Sequence, residues 1–243
     1  MEPLYRQQYT LEDIHVDCFD RLKLSTLLYF AQEVAGSHCE LLNTHRTALE
    51  KQNLFWAVIR HRVQITRLPV KGETITVETW PMPTTRVAYP RSTVAYDSQG
   101  QELFRAISLW VLMDTDTRAM ILPGKSGVLV EGTLRGTELA APNGLPAQAL
   151  QKQSSRTVGY TELDCNFHMN NTRYMEWADD LLPGPFHGAH PAKEFTICYM
   201  SEAREGQTLQ LRYDLSDGPM LQVDGFREKE EGQERVFAVR ILY

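Results

Sequence analysis

Cysteine is scarce in this 243-residue chain, and what there is stands apart: Cys18, Cys39, Cys165 and Cys198, with no CxxC pair. That spacing argues against a zinc ribbon or a disulfide framework and for reduced thiols in a cytosolic setting. No apolar run approaches the roughly 20 residues that cross a bilayer. The opening stretch, MEPLYRQQYTLEDIHVD, lacks a basic start followed by an apolar run. No signal peptide is expected, and the cytoplasm is the expected compartment. Positive charge is outweighed, 25 Lys and Arg against 31 Asp and Glu, for a net charge of -6. A general nucleic-acid binder would carry the opposite balance. The serine-hydrolase G-x-S-x-G elbow is missing. GKS at 124–126 resembles a phosphate loop, but Ala119 stands where that loop needs glycine.

What is present is an ordinary globular composition, 42% hydrophobic and 23% charged, with ample length to bury a core. Leu24, Leu27, Leu28, Ala31, Val34, Ala35, His38, Leu41 and Leu42 follow the i, i+3, i+4, i+7 rhythm, which predicts a long helix. Ser25 or Thr26 is positioned to cap it. Strand-like runs follow at 55–66, 73–80, 86–97 and 103–114, joined by short turns that suit antiparallel neighbours. Residues 124–155 lose this periodicity and read as a long linker able to drape over a sheet. The order then recurs: a short strand at 156–160, helical spacing at Asn171, Tyr174, Trp177, Ala178 and Leu181, and four further strand-like runs. Residue identity between the halves is weak, so the repeat is one of element order. An apolar sheet face needs a cover, and a long helix supplies one. These patterns predict an α+β protein of two similar halves, 1–123 and 156–243, around a 124–155 linker.

The densest polar cluster is LDCNFHMNNTRY, residues 163–174. Asp164, Asn166 and His168 alternate, so an extended backbone would face all three the same way. Asn170, Asn171 and Thr172 offer caps for the following helix, whose N-terminal amides suit a developing oxyanion. Carboxylate, amide and imidazole beside such donors have the makings of an acyl-hydrolysis site. The same residues can also simply make turns and caps, and local chemistry leaves that reading open. Cys165 beside Asp164 would face the opposite side of a strand, which argues against a thiol nucleophile. A single histidine with no second one at ligand spacing argues against a metal.

The stretch DCNFHMNNTRYMEW resembles the motif of plant and bacterial fatty acyl-ACP thioesterases, Asp-x-Asn-x-His-x-Asn-Asn-x-x-Tyr, at every fixed position. FWAVIRHRVQITRLPVKGETITVETW, ISLWVLMDTDTRAMILP and AQEVAGSH resemble further segments of that family, in order along the chain. The resemblance implies a tandem (double) hot-dog fold, each half an antiparallel sheet wrapped around a long helix. It implies that the first half holds the acyl chain and the second carries catalysis. By matching position Asp164, Asn166 and His168 take catalytic places, and CYMSEAREG supplies Tyr199 and Glu202 for a Tyr-x-x-Glu-Cys pattern. Ala203 replaces that cysteine, which favours carboxylates and water. No cofactor is implied, and the partner is acyl carrier protein bearing an acyl-phosphopantetheine. Carrier proteins are generally acidic, so Arg60, Arg62, Arg67, Lys71, Arg86 and Arg91 are candidate docking residues, each with an ordinary solvated role as the alternative. An acyl-CoA thioesterase, a hot-dog hydratase or dehydratase, and a lipid-binding module are the competing functions. Monomer and homodimer are equally open.

Overall fold

The computed structural model describes residues 3–136 and 138–243. The chain divides into two compact units, Met1–Pro142 and Asn143–Tyr243.

In the first unit, β1 (Tyr5–Thr10) precedes α1 (Leu24–Leu41) and α2 (Arg46–Glu50). Next come β2 (Leu54–Ile65), β3 (Thr74–Pro81), β4 (Tyr89–Tyr96), β5 (Glu102–Asp114), β6 (Met120–Ile121) and α3 (Pro123–Ser126). The strands run antiparallel in the order β1-β3-β4-β5-β2, with β6 on the end of β5. The α1 stripe buries Leu24, Leu27, Leu28, Ala31, Val34, Ala35 and His38, and the helix packs on β3 and β1. Phe30, outside the expected stripe, is also buried and stacks on Tyr9. Leu41, inside it, is 56% exposed. Neither Ser25 nor Thr26 caps the helix: Lys23 is its N-cap and gives no side-chain hydrogen bond.

The second unit holds β7 (Lys152–Thr157), α4 (Arg173–Asp179), α5 (Gly184–Ala189), β8 (Glu194–Tyr199), β9 (Thr208–Ser216), β10 (Met220–Lys229) and β11 (Gly232–Leu242). Its antiparallel order is β8-β11-β10-β9-β7. Here the expectation of a long helix needs correction. The α4 helix has seven residues and α5 six. Pro183 and Pro185 lack the N–H a continuing helix needs, and the proline ring clashes with the preceding turn.

The boundary between units falls inside the stretch expected as a linker. Its first part lies along the first unit: the Thr133 amide donates to the Pro81 carbonyl at 2.9 Å, and Trp80 Nε1 to Glu138 at 3.4 Å. At Gly132 a side chain would collide with the Met82 backbone, so only glycine lets this stretch approach so closely. Its last part lies along the second unit, where Arg235 donates to the Leu145 carbonyl at 2.6 Å. No helix among the described residues is long and apolar enough to cross a membrane.

Candidate active site

Between β7 and α4 the second unit runs through a single 3-10 turn, Tyr160–Glu162, into the segment that carries the polar cluster. That segment is a tight turn, not the extended strand expected. The Asp164 amide donates to the His168 carbonyl at 2.8 Å, and the Phe167 amide returns to the Asp164 carbonyl at 3.1 Å. Phe167 takes a left-handed φ of 60° to close the loop. Alternation therefore does not align the three residues. Asp164 Oδ1 accepts the Asn166 amide at 2.7 Å, an Asx turn in which the carboxylate shapes its own loop. Asn166 is exposed, Asp164 half-buried and His168 buried.

The turn is pinned to the stretch after β8. The Met169 amide donates to the Ala203 carbonyl at 2.8 Å, which brings the preceding residues of both segments together. His168 Nε2 then lies 3.0 Å from Glu202 Oε2, the imidazole 9% exposed and the carboxylate 40%. Tyr174, on α4, is buried and feels the charge of Glu202. Burial pushes its pKa well above the tyrosine range; a hydrogen bond with the Ala203 backbone and the charge of Arg227 pull the other way, while Glu202 and Asp164 both add to the rise. Both carboxylates thus act electrostatically on one phenol. The Tyr199 hydroxyl, also raised by burial, donates to the Asn171 carbonyl at 2.9 Å and packs edge-on to Tyr174.

The N–H groups at the start of α4, expected to receive an oxyanion, are in part engaged locally. Of the N–H groups at its start, that of Thr172 donates to Asn170 Oδ1 at 2.9 Å and that of Arg173 to the Asn170 carbonyl at 3.0 Å. Asn170 alone among the expected caps supplies a side-chain acceptor, and the Thr172 hydroxyl is bound to it. Cys165 is exposed on the turn.

The six basic candidates separate once their surroundings are known. Arg91 is buried at 7% exposure, against His38 Nδ1 at 3.1 Å and Thr79, so it belongs to the core and not to a docking face. Arg67 is bound by Glu73, and Lys71 pairs with Asp13. Arg86 is exposed, while Arg60 and Arg62 are half-buried.

The descriptions "Acyl-ACP thioesterase N-terminal domain" and "Acyl-ACP thioesterase C-terminal domain" match residues 2–122 and 147–240. The chain belongs to the acyl-ACP thioesterase family. A palmitoyl-acyl carrier protein thioesterase of Gossypium hirsutum is 26% identical over 229 residues, which span 88% of this chain and 55% of that protein. A dodecanoyl-[acyl-carrier-protein] hydrolase of Cinnamomum camphora is also 26% identical, over 88% of the chain and 60% of its own length. The chain thus spans little more than half the length of these plant relatives. An acyl-ACP thioesterase from Bacteroides thetaiotaomicron has the same fold at 24% identity, with a TM-score of 0.89 over 99% of this chain and 97% of the other. The 12:0-ACP thioesterase of Umbellularia californica superposes with a TM-score of 0.83 at 23% identity, over 100% of this chain and 97% of its own. These likenesses give this family member an α+β fold of the hot-dog type.

Within this chain, the first unit repeats the turn without the same side chains. Asp17 Oδ1 accepts the Phe19 amide at 2.9 Å, Asp17 N–H reaches the Arg21 carbonyl at 2.7 Å, and Asp20 takes a φ of 59°. The Leu22 amide donates to the Pro69 carbonyl at 2.8 Å, as Met169 does to Ala203. Arg21 stands in the place of His168, its Nη2 3.1 Å from Asp17 Oδ2. Phe19 and Leu68 occupy the places of Asn166 and Glu202. The sequence signal was Val16-Asp17-Cys18 beside Leu163-Asp164-Cys165, with Lys71-Gly72-Glu73-Thr74 beside Glu205-Gly206-Gln207-Thr208. Both central glycines have positive φ, 84° and 77°. One scaffold is thus used twice, and the turn that carries His168 against Glu202 belongs to the second unit.

Proposed function

We propose that the protein hydrolyses fatty acyl thioesters of acyl carrier protein, releasing free fatty acid and the carrier thiol and so ending chain extension. The observation that carries this reading is the 3.0 Å contact of His168 Nε2 with Glu202 Oε2 in a chain of this family. The Glu202 carboxylate takes a proton from water as its oxygen adds to the thioester carbonyl carbon. The carbon–sulfur bond then breaks and the leaving thiolate receives a proton. His168 holds Glu202 and, with Asn166, positions the thioester. Asp164 shapes the turn that presents both and adds negative charge beside them. Glu202 is favoured over Asp164 as the base because its carboxylate faces the His168 imidazole and is 40% open to water, whereas the engaged Asp164 oxygen serves its own turn.

The finer architecture belongs to the same reading: two hot-dog domains in tandem, the first holding the acyl chain under α1, the second carrying catalysis. The proposed partner is the acyl-phosphopantetheine of the carrier protein. The cytoplasm remains the proposed compartment, in keeping with four unbridged cysteines. The plant relatives carry "chloroplastic" in their names.

The test is thiol release from a panel of acyl carrier proteins and matching acyl-CoAs. Release from the carrier-bound substrates that is lost in Asp164→Ala supports reaction and site together. A steep fall with salt on the carrier substrate alone separates it from a CoA enzyme. No release from any thioester refutes hydrolysis and leaves the lipid-binding module or the hydratase.

A further inference from the structure

The stretch that carries Glu202 is braced from behind by one side chain. Arg227, on β10, donates from Nη1 to the Glu202 carbonyl at 2.9 Å and to Gln207 Oε1 at 2.7 Å, and from Nη2 to Ser201 Oγ at 3.0 Å. The guanidinium is held in turn by Glu234, which its Nε reaches at 3.1 Å. Burial raises the pKa of Glu234, but hydrogen bonds from Arg227 and Lys229 outweigh it and hold the carboxylate below its usual range. A planar, multi-donor cation is suited to fixing several acceptors at once.

The first unit shows what this brace replaces. There the corresponding stretch ties itself: Arg67 and Glu73 form a two-bond ion pair at 2.7 and 2.9 Å. Their places in the second unit are taken by Ser201 and Gln207, and the guanidinium that joins those two comes from the sheet instead. In the second unit alone the brace also grips the carbonyl of the residue that faces a histidine. We infer that Arg227 is a positioning residue, which holds the Glu202 main chain so that its carboxylate meets His168. This rests on the function proposed above only for its kinetic arm.

Two measurements test it. The first is the imidazole 15N signal of His168 in wild type, E202Q and R227Q. If Arg227 positions Glu202, the R227Q signal moves from its wild-type place toward that of E202Q; a signal that stays put overturns the inference. The second is a double-mutant cycle on acyl-ACP hydrolysis. Misplacing a reacting group by about 1 Å costs roughly a hundredfold, so R227Q is expected to lower kcat by about ten- to a hundredfold, leave KM within about threefold, and cost nothing further in E202Q. An equal loss on both backgrounds, or a change in KM alone, overturns it. Should R227Q fail to fold, R227K carries both readings, because a lysine keeps the charge but spans only part of the acceptor set. If wild type hydrolyses no thioester, the functional reading fails while the imidazole signal still decides the positioning.

Discussion

His168 Nε2 meets Glu202 Oε2 at 3.0 Å, and the residues just after them, Met169 and Ala203, are joined main chain to main chain at 2.8 Å. Backbone pairing therefore delivers an imidazole to a carboxylate that remains open to water. Removing the Glu202 charge without changing its shape isolates the chemistry. Glu202→Gln is expected to lower kcat by roughly a hundred- to ten-thousandfold, the range for loss of a general base. Asp164→Asn keeps an oxygen for the Asn166 amide and is expected to fall only about tenfold by the same scale. Steady-state kinetics on one acyl-ACP, beside thermal melts showing both variants folded, decides. Turnover within a few fold of wild type in both would remove this site.

The motif pointed to four candidate residues, of which the structure brings His168 and Glu202 into contact, but their geometry was not legible. Asp-x-Asn-x-His reads as alternation because strands alternate, yet aspartate and asparagine are also the residues that fold turns on themselves. The left-handed φ of Phe167 decided the matter, and nothing about a phenylalanine announces it. The short α4 was legible in hindsight, since Pro183 and Pro185 stand in the path of a longer helix. Arg91 was not: in YPRSTVAY a charged residue suggests an outward face, but β4 is buried on both sides from Tyr89 to Ala95. Glu234, in the acidic stretch that ends β10 and opens β11, is likewise not free surface charge, since its carboxylate is held by Arg227 and Lys229.

Glu162 ties the approach to the site onto α4. Its Oε1 accepts the indole N–H of the buried Trp177 at 2.6 Å, and its Oε2 accepts the Gly159 amide at 2.8 Å. Glu162→Ala leaves a buried indole donor unmatched and should cost about 1–3 kcal/mol. Glu162→Gln keeps an acceptor for one of the two bonds and should recover part of that loss. Urea unfolding of the three proteins gives the comparison, and equal midpoints for all three would refute the link.

His61 in β2 carries a pH dependence. It is buried, Nδ1 2.7 Å from Ser108 Oγ, and burial pushes its pKa down to about 3. An unfolded imidazole titrates near roughly 6.5. The folded value lies below the unfolded one, so the unfolded chain binds the proton first. The contribution is complete above about pH 6.5 and is lost as pH falls toward the folded value, by up to about 1.4 kcal/mol per pH unit. The stability gap between wild type and His61→Asn should therefore narrow from pH 7 to pH 5. Urea unfolding at pH 7, 6 and 5 measures it, and a constant gap would count against a neutral buried imidazole.

Gly225 lies beneath the ring of Phe237, where any added Cβ would overlap the ring. Phe237 is fully buried and packs 4.8 Å from Tyr174, so the ring has no open space to enter. Gly225→Ala should cost about 1–3 kcal/mol as an overpacked core. Because Phe237 packs against Tyr174, whose phenol feels the Glu202 charge, activity at temperatures where the variant stays folded should fall as well. A variant that melts like wild type would show that the ring can yield.

Cys165 is the test of a thiol mechanism. It sits next to Asp164 and three residues before His168, a neighbourhood that suggests a nucleophile on paper. The turn argues otherwise, since His168 Nε2 is directed to Glu202 and Cys165 lies at the exposed tip. The position after Glu202 holds Ala203, which is fully buried and has no thiol to offer. Cys165→Ala should keep kcat and KM within about twofold of wild type, whereas loss of a true nucleophile costs orders of magnitude. Activity should also survive a thiol-alkylating reagent in that variant. A large loss on Cys165→Ala in a folded protein would transfer the chemistry from water to sulfur.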